Sequence, residues 1–209
     1  MSTGEDSSRP GSPLQIDLND TIYVALSRSA GRIGKLLSLR TVQTNADLAG
    51  SLDDFLGAIY ALILAKQGGF TDRLTRPIEI AAVEKRAEQI AAGKVRTDGK
   101  WMAGFHFNSA LFRTAAVYHR ILKIVVGRVA YVHSLRSDAL QLYRQWNHSD
   151  WTCDKLDMVH SQVNDLKHRP RGIYDQRSVA FQDAVTAVAE LLDLIEAWVT
   201  ASAPPTPTR

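Results

Sequence analysis

Apolar residues recur every third or fourth position through most of this chain, and no segment alternates apolar and polar residues between hairpin signals. Each segment must therefore bury one stripe of a helix against its neighbours, which predicts an all-α, single-domain bundle of six or seven helices. At 209 residues the chain is long enough for one sizeable core. No internal repeat at a fixed period suggests a solenoid.

The ends differ from the middle. Residues 1–13 are rich in Ser, Gly, Pro and acids and almost without apolar groups, so they are expected to be a disordered arm. Residues 201–209, with Pro204, Pro205 and Pro207, cannot continue a helix and are expected to form a Pro-rich disordered tail. The helical bundle domain then occupies 14–200.

Within it, spacing predicts a first helix over 19–39, interrupted by Gly31. A second follows Ser51, whose Ser-Leu-Asp-Asp start offers an N-cap and an acidic first turn, and it stops at Gly68-Gly69. Pro77 opens a third, through Ile78, Ile80, Val83 and Ile90 to Gly93. A long helix over 101–126 is apolar on much of its circumference and is expected to be central. Trp101, Phe105 and Phe107 should belong to the core, and Arg113 and His119 read as a buried structural pair or as packing groups. A shorter helix follows over 137–147. The next begins after Ser149 as N-cap, with Asp150, Asp154 and Asp157 complementing its dipole, and it ends before Pro170. The last runs from Arg177 or Ser178 to Thr200, with Asp183, Glu190, Asp193 and Glu196 expected to face water or a partner.

Composition narrows the classes. A net charge of +3 permits an anionic partner but is far from the dense basic patch of a dedicated DNA-binding domain. The single Cys153 excludes an intramolecular disulfide and any multi-cysteine zinc site, and is expected to be a small buried hydrophobe. The start is polar and acidic, and the apolar run Ile124, Val125 and Val126, broken by Lys123, Gly127 and Arg128, falls short of the ~20 residues of a span, so a cytoplasmic location with no membrane partner is expected. There is no Walker loop, dinucleotide fingerprint, His-Glu-x-x-His helix or nucleophile elbow, and no cofactor or metal is implied.

Chemistry concentrates in one stretch, Val159 to Gly172. Leu156, Val159, Val163 and Leu166 follow one another at spacings of three, four and three and form the buried stripe. His160, Asn164 and His168 stand four apart on a neighbouring polar stripe, with Lys167 beside it and Arg169, Arg171 and Arg177 just beyond the helix end.

The run Asn164-Asp165-Leu166-Lys167-His168 in a late helix, followed by a turn and a final amphipathic helix, resembles the HEPN superfamily. Its mark is an arginine, a polar residue, three variable residues and a histidine. Here the position before Asn164 holds Val163 in place of the arginine. The resemblance implies a homodimer in which two such sites meet, cleaving RNA without a metal, as in toxin–antitoxin or phage-defence systems. His168 and Asn164 would then be catalytic, and Lys167, Arg169 and Arg171 would bind phosphate. The histidine, ordinarily titrating near ~6.5, would take the 2′-hydroxyl proton so that this oxygen attacks the adjacent phosphate. The nearby cations would stabilise the developing charge.

Two other readings compete. His168, Lys167 and Arg169 would equally serve a helix C-terminus, where cations favour the dipole. On that reading the chain is a non-catalytic interaction module that dimerises or binds a protein partner such as an antitoxin, with Val163 marking a lost site. Binding of RNA without cleavage, through the Lys167 to Arg171 turn, is the third.

Overall fold

The computed structural model describes residues 20–69, 100–126, 135–145, 151–168 and 179–201, together with positions 89 and 92. Among them are seven helices and no strand: α1 (Thr21–Leu37), α2 (Arg40–Gln43), α3 (Ala46–Gln67), α4 (Lys100–Val126), α5 (Leu135–Gln145), α6 (Asp154–His168) and α7 (Phe181–Ala201). The all-α bundle expected from periodicity is what forms. The expected helix from Pro77 to Gly93 and the arm 1–13 lie outside the described residues, as does the tail beyond Ala201, which is itself still helical.

Local chemistry explains the starts. Asp20 caps α1 by accepting the Ile22 N–H at 2.8 Å, and this bond, with Lys66 Nζ at 3.2 Å, holds its carboxyl below the usual carboxylate range. The helix expected over 19–39 ends at Leu37, and the chain bends at Ser38 and Leu39 before the single turn of α2. Correction is needed for α3: it begins at Ala46, with Asn45 Oδ1 accepting the Leu48 N–H at 3.0 Å. Ser51 is no cap; it is fully buried within the helix and its hydroxyl donates to the Asp47 carbonyl at 2.7 Å. Asn45, not expected as a cap, stands six residues before Ser51, and starting there lets the helix bury Leu48 as well.

Gly68 and Gly69 end α3 for two reasons. Gly69 adopts a φ of +74°, which a side chain would strain. A Cβ on Gly68 would fall 2.7 Å from the Cβ of Ala103 and 3.3 Å from its Cα, so this glycine permits the close approach of α3 to α4.

α3 and α4 form the most extensive helix pair, running antiparallel. α3 is long and apolar enough to cross a membrane by length and composition, contrary to expectation, but half of its apolar window is buried in the bundle by α1, α2 and α4. The central helix is α7. Its buried residues, from Phe181 through Val188 and Leu192 to Val199, go nearly all the way round, because α1, α4, α5 and α6 pack against it. α4, expected to be central and mostly buried, also packs against four helices, α3, α5, α6 and α7, but leaves Phe105 60% and Phe112 38% exposed. Phe107 does enter the core, stacking on Phe181 at 5.6 Å, whereas Phe105 points away from it. Nor are Arg113 and His119 a buried pair: Arg113 is exposed and reaches α3, where it and Arg120 share the Asp54 carboxylate. α5 begins at Leu135, two residues before its spacing predicts, and residues 146 and 147 lie outside the described residues.

Candidate functional site

α6 holds the residues that the sequence singles out. It starts at Asp154, and Trp151, Thr152 and Cys153 before it are not helical, so Ser149 is not its cap. The role falls to a residue from far along the chain. Glu190 of α7 accepts the Leu156 N–H at 2.7 Å and the Lys155 N–H at 3.4 Å, putting a carboxylate on the positive end of α6. Glu190 is only 8% exposed and buried within its own chain, which corrects the expectation that it faces water or a partner. Burial pushes its carboxyl above the ordinary carboxylate value, with the two N–H bonds opposing that shift. The signal was in the spacing: Glu190 stands three after Ala187 and four before Leu194, both buried.

Several groups gather at this end. Trp151 Nε1 donates to the Glu190 carbonyl at 3.1 Å, and Lys155 pairs with Asp183 at 2.7 Å. Cys153 is 1% exposed, the buried small residue expected, and its thiol is pushed up to about 12 by burial. It is protonated and unreactive at neutral pH. Burial also raises the phenol of Tyr118 well above its ordinary value. These features describe a structural clamp on a helix end.

Of the expected buried stripe of α6, Leu156 and Val159 are fully buried and Val163 is 2% exposed, while the side chain of Leu166 lies outside the described ones. Of the polar stripe, His160 is half-buried and meets Tyr118 of α4 edge-on, with ring centroids 6.0 Å apart at 84°. Asn164, one turn later, is also half-buried. The α6 backbone continues through Lys167 and His168, bringing both within a turn of Asn164. Arg169 and Arg171 lie outside the described residues. Gln162, to which sequence gave no role, accepts the Val179 N–H at 2.7 Å and ties α6 to the start of α7.

Val163 decides what this end of α6 can do. It points into the core, and a guanidinium in that direction would be taken out of water at heavy cost. The position before Asn164 is thus filled by a packed apolar side chain.

A second feature lies across the bundle. Tyr60 and Leu64 of α3 are 60% and 39% exposed, and with Phe105 and Phe112 of α4 they set four large apolar side chains on the outer faces of this helix pair. Among the described residues, no group of three His, Cys, Asp or Glu side chains is placed to hold a metal ion.

Fold and site together define a helical bundle with one polar helix end and one apolar outer face. Compared with known proteins, the chain matches no family model, no curated protein and no solved structure.

Proposed function

We propose that this chain is a non-catalytic protein-interaction module built on a HEPN-like helical bundle and acting in the cytoplasm. The observation that carries the reading is the exposed apolar face of α3 and α4, where Tyr60 and Phe105 each stay 60% exposed. Large aromatic side chains left in water on two adjacent rigid helices are what a protein interface uses as anchors. The burial of Val163 supports the same reading, since it removes the charge that RNA cleavage would need beside Asn164. Purified protein incubated with RNA in a metal chelator should leave the RNA intact. Chelator-resistant cleavage that is lost in His168→Ala would overturn the proposal.

One observation favours the alternative, a metal-independent endoribonuclease of a toxin or phage-defence system. Asn164 and His168 stand one turn apart at the end of α6, as the resemblance requires. On that alternative His168→Ala lowers cleavage by about 10²–10⁴-fold, the contribution of one positioned base.

A further inference from the structure

We propose that the outer face of α3 and α4 is the surface through which two copies of this chain pair, α3 of each lying over α4 of the other. This deepens the interaction reading above and rests on it.

The register of the two helices is fixed by three contacts: Asp54 meets Arg113 and Arg120, Gly57 lies beside Arg113, and Gly68 lies beside Ala103. Numbers rising along α3 therefore face numbers falling along α4. On the outer side, α3 exposes Asp53, Tyr60 and Leu64, and α4 exposes Phe105, Phe112 and Lys123, with the exposed Arg113 and Arg120 lying toward α3, where Asp54 of the same chain holds them. By register Leu64 stands level with Phe105, Tyr60 with Phe112, and Asp53 lies close to the level of Arg120. The face is apolar toward the Gly68 end. Toward the other end it is acidic on α3 and basic on α4.

That distribution complements itself. A second copy turned about a two-fold axis parallel to the helices keeps each level and exchanges α3 for α4. Tyr60 and Leu64 then meet Phe112 and Phe105 of the second copy, and Asp53 meets its Arg120 and Lys123. Both sets of contacts occur twice. A second copy turned end over end would instead lay charges on the apolar end.

The size also fits. α3 has 22 residues and so is about 33 Å long, and two packed helices are roughly 20 Å across. The flat outline is thus on the order of 650 Å² before side-chain relief is added, near the roughly 800 Å² per partner of a stable interface. Four large apolar groups give it a centre, and the charges give it a rim.

Sedimentation equilibrium and light scattering on the full chain test the proposal. The expected particle has twice the chain mass of 23.1 kDa. Phe112→Glu, at an exposed position, should weaken pairing about 30-fold or more while the circular dichroism stays unchanged and Tm loses its dependence on protein concentration. Asp53→Lys should weaken pairing less, and Asp53→Lys combined with Lys123→Glu should recover most of that loss, which no folding defect would do. A monomer at concentrations on the order of 100 μM, or a dimer insensitive to both Phe112→Glu and Asp53→Lys, overturns the surface. The chelator assay is independent of these outcomes. A monomer that leaves RNA intact removes the pairing and keeps the interaction reading, and a dimer that cleaves RNA does the reverse.

Discussion

Among the described residues, Glu190 is the one charged side chain that is buried. Its carboxylate satisfies two N–H groups at the start of α6, one of them the buried Leu156 N–H. Glu190→Ala leaves that donor without a partner, and we expect a loss of about 1–3 kcal/mol, measurable by urea unfolding. Glu190→Gln keeps an acceptor and discards the buried charge. Because burial raises the folded-state pKa above the ordinary value of 4.5, the native protein holds this proton more tightly than the unfolded chain. The contribution of Glu190 is then fully present below that value and declines as pH rises through the folded-state pKa. The Tm of Glu190→Gln relative to the native chain should therefore rise from pH 4 to pH 7, and a constant or falling difference would show that the two N–H bonds outweigh burial. The sequence marked Val163, Asn164 and His168 by spacing alone. It could not mark Glu190 as a cap, because the groups it serves are 34 and 35 positions away.

Two glycines separate what a helix prefers from what a helix pair permits. Gly57 and Gly68 both lie where α3 meets α4, yet their neighbours differ. A Cβ on Gly57 would come 2.6 Å from Arg113 Nη1, the free end of a flexible side chain that can swing away. Gly57→Ala should therefore be neutral or stabilising by up to ~1 kcal/mol from helix propensity, at the cost of loosening one exposed ion pair worth little. On Gly68 the obstacle is the Cβ and backbone of Ala103, which move only with the helix. Gly68→Ala should cost about 1–3 kcal/mol as the pair is forced apart, and thermal unfolding of the two variants should separate them. Helix content and the stop at Gly68-Gly69 were legible from local pattern. The start of α3 was not, because Asn45 and Ser51 are equally good caps until packing chooses between them.

Across the whole bundle, the N-terminal and C-terminal helices are joined by charge as well as by packing. Arg32 of α1 makes a fork with Glu196, at 2.9 Å through Nε and 2.6 Å through Nη2, and reaches Asp193 at 2.5 Å. These acids, expected to face water or a partner, face the first helix. The side chain is about a third exposed, so Arg32→Ala should cost only about 1 kcal/mol, and added salt should narrow the difference from the native chain in thermal unfolding. The same scale decides which helix is central. Sequence alone determined that the chain is helical and that each helix has a buried stripe, because both follow from residue spacing along one helix, as Leu156, Val159 and Val163 illustrate. Tertiary structure alone decided that α7 sits at the centre, that Glu190 caps α6, and that Tyr60, Leu64, Phe105 and Phe112 are left outside. Spacing says that an apolar residue shares a face with others; only the neighbouring helices determine whether that face has anything to pack against.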